Sequence, residues 1–212
     1  MLKKFFAREA PPVRQPIIVV SGLPRSGTSM MMRMLEEGGL PVVTDLLRAA
    51  DRDNPNGYYE LETVKQLPQG QTAWLAGAQG RVVKVISALL EHLPPRYQYK
   101  VIFMERAVSE VLTSQQKMLS NRNEESKTAD AEMQARFQEH VAAAKYWLAR
   151  QPNIEVLYVD YNRMMASPQE DCRRVAAFLG VPLDLERMQA VPDAALYRNR
   201  ASAGAGGPAK LP

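Results

Sequence analysis

The chain has one cysteine, Cys172, in 212 residues. A lone cysteine excludes an intrachain disulfide framework and a cysteine-rich metal centre, and it points to a reducing, cytoplasmic setting. Histidine is almost as scarce, and neither His92 nor His140 stands in an evident motif. No apolar run approaches the roughly 20 residues that a membrane-spanning helix needs. The stretch Leu2-Lys3-Lys4-Phe5-Phe6 is too short for the apolar region of a signal peptide. Its basic character suits weak contact with an anionic membrane surface, or simply a frayed terminus. Aromatic residues make up 7% of the chain and do not interleave with clustered Lys and Arg, so the net charge of +4 is not the footprint of a nucleic-acid binder. There is no internal repeat.

The composition that remains, 46% hydrophobic and 24% charged, suits a single well-cored domain. Lys3, Lys4, Arg8 and Arg14 outnumber Glu9 near the start, so most of the positive excess belongs to a basic, mobile segment over residues 1–15. The domain is expected over 16–200. The Gly- and Ala-rich residues 201–212 have linker composition and read as a flexible tail.

Four short, apolar, β-branched segments read as buried strands, at residues 17–20, 82–86, 101–104 and 154–159, and Val42-Val43 offers a fifth. Helical patterns alternate with them. One face is Val108, Val111, Leu112, Met118 and Leu119, and another is Met133, Phe137, Val141, Ala144 and Leu148. The alternation predicts a three-layer α/β/α fold of P-loop type around a mainly parallel sheet of four to five strands. Ser167-Pro168-Gln169-Glu170 predicts a helix start with a capping box, and Gly180 its end. Cys172 lies on the apolar face of that helix and reads as a core residue rather than a nucleophile. The polar stretch from Asn121 to Asp130 is either a lid or a solvated connector.

The segment after the first strand is the most informative. Gly22 and Gly27 have the spacing of a P-loop, G-x-x-x-x-G-K-[ST], in which backbone N–H groups and the positive end of the next helix hold phosphates. Thr28 occupies the lysine position, and Arg25 is the loop's cation. Nucleoside triphosphate enzymes couple the missing lysine to Mg²⁺, so a kinase or NTPase is a weak alternative. Asp160 resembles a strand-end Mg²⁺ ligand, but short strands often end in Asp at a turn. A sulfuryl group carries less charge than a phosphoryl group. Hydrogen bonds and side-chain cations suit its transfer, and no metal is expected.

Pro24-Arg25-Ser26-Gly27-Thr28-Ser29 resembles the 5′-phosphosulfate loop, P-[KR]-S-G-T-[TS], of sulfotransferases that use 3′-phosphoadenosine 5′-phosphosulfate (PAPS). Arg106, after the third strand, is followed eight residues later by Ser114, similar to the pair with which that family grips the 3′-phosphate. An arginine fork and a hydroxyl are apt phosphate ligands. The helical spacing requires Arg106 to reach along the helix for the two to meet one phosphate. Asp160-Tyr161-Asn162-Arg163-Met164 resembles the turn whose tyrosine lies near adenine, which implies that role for Tyr161. Arg198 and Arg200 fall where the family places a late basic motif on the 3′-phosphate, or are solvated tail charges. The resemblance spans about residues 17–200 and implies sulfuryl transfer from PAPS, as co-substrate, to a hydroxyl or amine acceptor.

Two positions depart from the family. Cytosolic members carry Lys-Thr-His at a strand end, with the histidine as base. Here Lys84 keeps the lysine position, but Ile86 replaces the histidine and cannot take a proton. Met30 replaces the aromatic residue that stacks on adenine; it can cover a purine or pack in the core with Met31, Met34 and Leu35. Glu60 is the candidate base, since related sulfotransferases use a carboxylate. A glutamate is a weak base at neutral pH unless its surroundings raise its proton affinity. Glu60 alternatively favours a helix N-terminus. The catalytic set is therefore Glu60, Arg25 and Lys84. The donor set is Pro24, Arg25, Ser26, Gly27, Thr28, Ser29, Arg106, Ser114, Tyr161 and Arg198. Asp45, Tyr58, Tyr59 and Trp74 are expected around the acceptor. The missing histidine also admits a non-catalytic nucleotide-binding protein on the same scaffold.

Overall fold

Alternating residues of one strand, Ile17-Ile18-Val19-Val20, divide the core in two. In the computed structural model, which describes residues 15–45, 47, 57–121 and 130–192, Ile18 and Val20 face Met31, Met32, Met34 and Leu35 on one side. Ile17 and Val19 face Leu67, Leu75, Leu90 and Leu148 on the other. Burial on both faces explains why the strand is apolar throughout rather than alternating. Each such aliphatic side chain contributes about 1.5–3 kcal/mol when removed from water.

The strands are β1 (Ile17–Gly22), β2 (Val42–Val43), β3 (Val82–Lys84), β4 (Tyr99–Glu105) and β5 (Ile154–Asp160). They form one sheet in the order β2-β3-β1-β4-β5, with every pairing parallel. Helices α1 (Thr28–Glu37), α2 (Val108–Asn121), α3 (Asp130–Leu148), α4 (Tyr161–Ala166), α5 (Pro168–Leu179) and α6 (Leu185–Gln189) accompany the sheet. Three 3₁₀ helices, Glu62–Gln69, Ala73–Ala78 and Ser87–His92, share the second core with α3. The expected α/β fold with a parallel sheet is present, and Val42-Val43 does form the fifth strand.

Some boundaries differ from expectation. The β3 ladder ends at Lys84, and the chain then turns so that Ile86 is 36% exposed ahead of the 3₁₀ helix at Ser87. β4 starts two residues early, where Tyr99 and Lys100 pair with Ile17 and Ile18. The Lys100 ammonium donates to the carbonyls of Phe178 and Leu179 at 2.7 and 3.2 Å, satisfying the end of α5. α5 begins at Pro168 and ends before Gly180, as the sequence predicts, and Gly180 has φ of 70°.

The predicted capping box does not close. The Ser167 N–H donates to the Arg163 carbonyl at 2.8 Å, because this residue also terminates α4, and its hydroxyl is directed to Gln169 instead. Asp160 caps α4 by accepting the Arg163 N–H at 2.7 Å, the turn reading of a strand-end aspartate. Cys172 is fully buried, and burial pushes its thiol up to about 11, consistent with a core residue.

The basic segment 1–14, the loop 122–129, and the tail with Arg198 and Arg200 lie outside the described residues. No helix among the described residues is long and apolar enough to cross a membrane.

Candidate functional site

In a doubly wound sheet, ligands bind beyond the carboxyl ends of the strands where the strand order reverses. The chain leaves β1 towards β2 and β3, and leaves β4 in the opposite direction towards β5. The crevice therefore falls at the ends of β1 and β4. Their register sets Gly22 beside Met104, so the loop 23–27 lies next to Glu105 and Arg106.

The loop is tightly curled. Gly22 has φ of 142°, and a Cβ there would lie 2.5 Å from the Ser26 hydroxyl and 2.6 Å from the Met104 carbonyl. Gly27 has φ of 98°, and its Cβ would lie 2.3 Å from the Tyr161 ring. Both positions require glycine. Gly27 is the N-cap of α1, offers no side chain to cap it, and is followed by no acidic residue in the first turn. The first N–H groups of a helix lack intrahelical partners, so this end suits an anion. Ser26 is 1% exposed. Among the described residues, its hydroxyl has no hydrogen-bond partner.

Two arginines join this loop to the segment after β4. The Ser114 hydroxyl accepts from Nε of Arg25 at 3.0 Å. Arg106 donates through Nη1 to the Arg25 carbonyl at 3.1 Å and through Nε to Glu110 at 2.9 Å. Its guanidinium also lies over the Tyr161 ring, 4.4 Å from the centroid, a favourable cation–π placement. Arg25 has φ of 70°, a conformation that costs a non-glycine residue of order 1–3 kcal/mol. The bonds to Arg106 and Ser114 hold it there.

Lys84 approaches from β3. Its ammonium donates to the Ser29 hydroxyl at 3.1 Å and to the Tyr58 carbonyl at 2.8 Å, placing a second cation at the first turn of α1. The segment 57–61 crosses here as a strap. Tyr59 has φ of 52°, and its hydroxyl donates to Glu36 of α1 at 2.5 Å. Burial and the Glu36 carboxylate both push the phenol well above its usual range. The Glu60 carbonyl accepts from the Thr44 hydroxyl and the Asp45 N–H at 2.8 and 3.3 Å. Glu60 thus lies two residues from the carbonyl that holds Lys84. Glu60 directly precedes Leu61, the N-cap of the 3₁₀ helix that begins at Glu62.

Other residues expected at the acceptor have local tasks. Asp45 accepts N–H groups from Glu62 at 2.6 Å and Leu47 at 3.1 Å, which lower its pKa. The Trp74 indole donates to the Gln71 carbonyl at 3.1 Å, and the side chain packs on the second core. Tyr58 is buried. Met30 packs half-buried against the first core, and Met32 is fully buried beside Met31, Met34 and Leu35. His92 lies beside Glu91 at 3.7 Å, while His140 pairs with the Ser87 hydroxyl at 2.8 Å. Neither histidine bonds to Arg25, Arg106 or Lys84 in any of these contacts. Among the described residues, no cluster of three His, Cys, Asp or Glu is placed to hold a metal.

Sequence reasoning missed Glu110 and Asn162. Asn162 donates to the Glu110 carboxylate at 3.1 Å. The i, i+4 spacing of Arg106 and Glu110 is legible, but their burial is not.

Comparison with known proteins identifies the family and the fold. The sulfotransferase domain family matches residues 15–199. A search of curated protein sequences found no significant match. Among solved structures, the chain resembles sulfotransferase STF1 from Mycobacterium tuberculosis, with 19% identity and a TM-score of 0.54 over 84% of this chain and 71% of that one. Mouse sulfotransferase SULT7A1, solved in complex with PAP, shows 19% identity and a TM-score of 0.52 over 84% of this chain and 62% of that one. Sulfotransferase STF9 from Mycobacterium avium shows 16% identity and a TM-score of 0.52 over 85% and 67%. At these identities the likeness concerns the fold. The family match spans most of the chain and includes the loop, both arginines and Lys84, and on that ground the chain belongs to the sulfotransferase domain family.

Proposed function

We propose that the chain transfers the sulfuryl group of PAPS to a hydroxyl or amine acceptor. The observation that carries this reading is the linkage of two sequence motifs into one cradle: Arg25 of the loop bonds to Ser114, and Arg106 bonds to the Arg25 carbonyl. A nucleotide phosphorylated at both the 5′ and 3′ positions matches two adjacent anion sites of this kind. The fit is supported by the buried, unpartnered Ser26 hydroxyl and the uncapped end of α1, and PAP is the ligand named for the mouse neighbour.

PAPS, when bound, supplies an activated sulfuryl group. The loop 24–29 would hold its 5′ end, Arg106 and Ser114 its 3′-phosphate, and Tyr161 would lie beside the base. Arg25 and Lys84 supply positive charge where negative charge develops on the departing group. Glu60 takes the acceptor proton. The acceptor is a small molecule or an exposed group on a larger one, and the protein works in the cytoplasm, a compartment that suits its single buried thiol.

Titration with PAP and with ADP, both without metal, tests the donor assignment. PAP should bind at least tenfold more tightly, and Arg106→Ala should remove about ten- to a hundredfold of PAP affinity, the worth of a charge-assisted hydrogen bond. ADP affinity should fall much less. Equal losses for both nucleotides would take Arg106 away from the 3′-phosphate.

The non-catalytic reading is favoured by one observation, the aliphatic Ile86 where a base is expected. Glu60→Gln separates the two. If Glu60 is the base, kcat falls about 10²–10⁴-fold, the usual worth of general base catalysis, while KM for PAPS is unchanged. Full activity in this variant would remove Glu60 from that role, and a wild type that binds PAP yet never turns over PAPS with any acceptor would favour the binding protein.

A further inference from the structure

Glu110 is 3% exposed and pairs with Arg106, itself 7% exposed. Nothing in the reading above gives this carboxylate a task. It stands in the first turn of α2, where the helix end favours negative charge. One oxygen accepts from Nε of Arg106 at 2.9 Å, and the other accepts from Nδ2 of Asn162 at 3.1 Å. Asn162 follows Tyr161 on α4, and the Tyr161 ring lies beneath the Arg106 guanidinium. The guanidinium is therefore gripped by α2 at one edge, by the loop carbonyl of Arg25 at another, and by α4 at its face.

For simple attraction, this carboxylate is in the wrong place. A negative charge beside Arg106 reduces the pull of that arginine on a phosphate, so its presence has to be explained by orientation. A guanidinium is a planar fork whose donors point in fixed directions. Holding Nε on a buried, doubly anchored carboxylate sets the plane and hence the direction of the remaining edge. The ring and the single bond to the Arg25 carbonyl would leave the fork able to pivot about that bond.

We propose that Glu110 is a positioning residue that aims Arg106 at the 3′-phosphate and so sets the preference of the site for a 3′-phosphorylated nucleotide. This rests on the PAPS reading. Asn162 supports it from behind, holding the carboxylate by its other oxygen.

The test compares PAP with ADP by calorimetric titration on the full chain, without metal, in the wild type, Glu110→Gln and Asn162→Ala. Glutamine keeps the shape but has only one acceptor oxygen for two donors and no charge. The PAP-over-ADP affinity ratio should fall about ten- to a hundredfold in Glu110→Gln, the scale of loss when a partner that orients a metal ligand is removed. Asn162→Ala should show a smaller fall in the same direction. A merely structural role would weaken both nucleotides together and leave the ratio unchanged, which would overturn the inference. A raised ratio would also overturn it, since charge neutralisation would then outweigh orientation. Should Glu110→Gln fail to fold, Asn162→Ala decides by the same ratio. A wild type with no preference for PAP would instead overturn the donor reading, and this inference with it.

Discussion

Arg25→Ala is expected to lower kcat for sulfuryl transfer on the order of 10²–10³-fold, the cost of losing one pre-aligned charge-stabilising donor. The reason is how firmly this arginine is held. Its carbonyl accepts from Arg106 and its Nε donates to Ser114, while its backbone has φ of 70°. A donor fixed before the reaction needs no reorganisation when charge develops. Arg25→Lys keeps the charge but not the Nε donor, so an intermediate loss is expected. The measurement is PAP release from PAPS in the presence of the best acceptor found for the wild type. A raised KM with unchanged kcat would make Arg25 a binding group only.

The second large effect concerns stability. Asp171 is fully buried and accepts from Arg163 at 2.9 and 2.6 Å and from Arg174 at 2.5 Å. Arg174 also donates to the Tyr158 carbonyl at 3.3 Å, so one carboxylate ties α4, α5 and β5 together. Breaking a buried pair by removing one partner costs about 3–5 kcal/mol. Here the side chains of Arg163 and Arg174 are 46% and 37% exposed, so water relieves part of the loss, and Asp171→Ala should cost about 3 kcal/mol at neutral pH. Urea unfolding monitored by circular dichroism measures it.

The pH dependence of that loss has a definite sign. Burial alone would raise the Asp171 pKa, but the hydrogen bonds and charges of Arg163 and Arg174 outweigh it and hold the group below the ordinary carboxylate value. A lowered folded-state pKa gives stability that is fully present above the unfolded value, about 3.9, and is lost as pH falls through the folded one. The gap between wild type and Asp171→Ala should stay constant down to about pH 5 and narrow below about pH 4. A gap that widened with acidity would contradict this assignment.

Much of the fold was legible because strands buried on both faces announce themselves as short apolar runs. The segments at 17–20, 101–104 and 154–159 all lie within β1, β4 and β5. The strand after Arg81 is two residues shorter than its apolar run, since Val85 and Ile86 are as apolar as Val82 and Val83 although the ladder ends at Lys84. The capping box at Ser167 fails for a similar reason. The motif is local, but the Ser167 N–H is committed to the end of α4. The three 3₁₀ helices carry no clear periodic signal, and the bonds of Asp45 and Trp74 to backbone groups 17 and 3 positions away are not legible in the sequence.

The sequence by itself determined what depends on near neighbours. The spacing of Gly22 and Gly27 dictates a tight loop opening a helix, and one cysteine on an apolar helix face is a core residue. Tertiary structure alone decided which side chains meet. Arg25 bonds to Ser114 across 89 positions and Arg106 to Arg25 across 81, contacts set by the register of β1 against β4 rather than by spacing along the chain. The same packing buried Glu110 against Arg106 and brought Tyr161 against Gly27. Which polar groups are buried together and which distant side chains meet depend on how the elements pack, and no local pattern of residues encodes them.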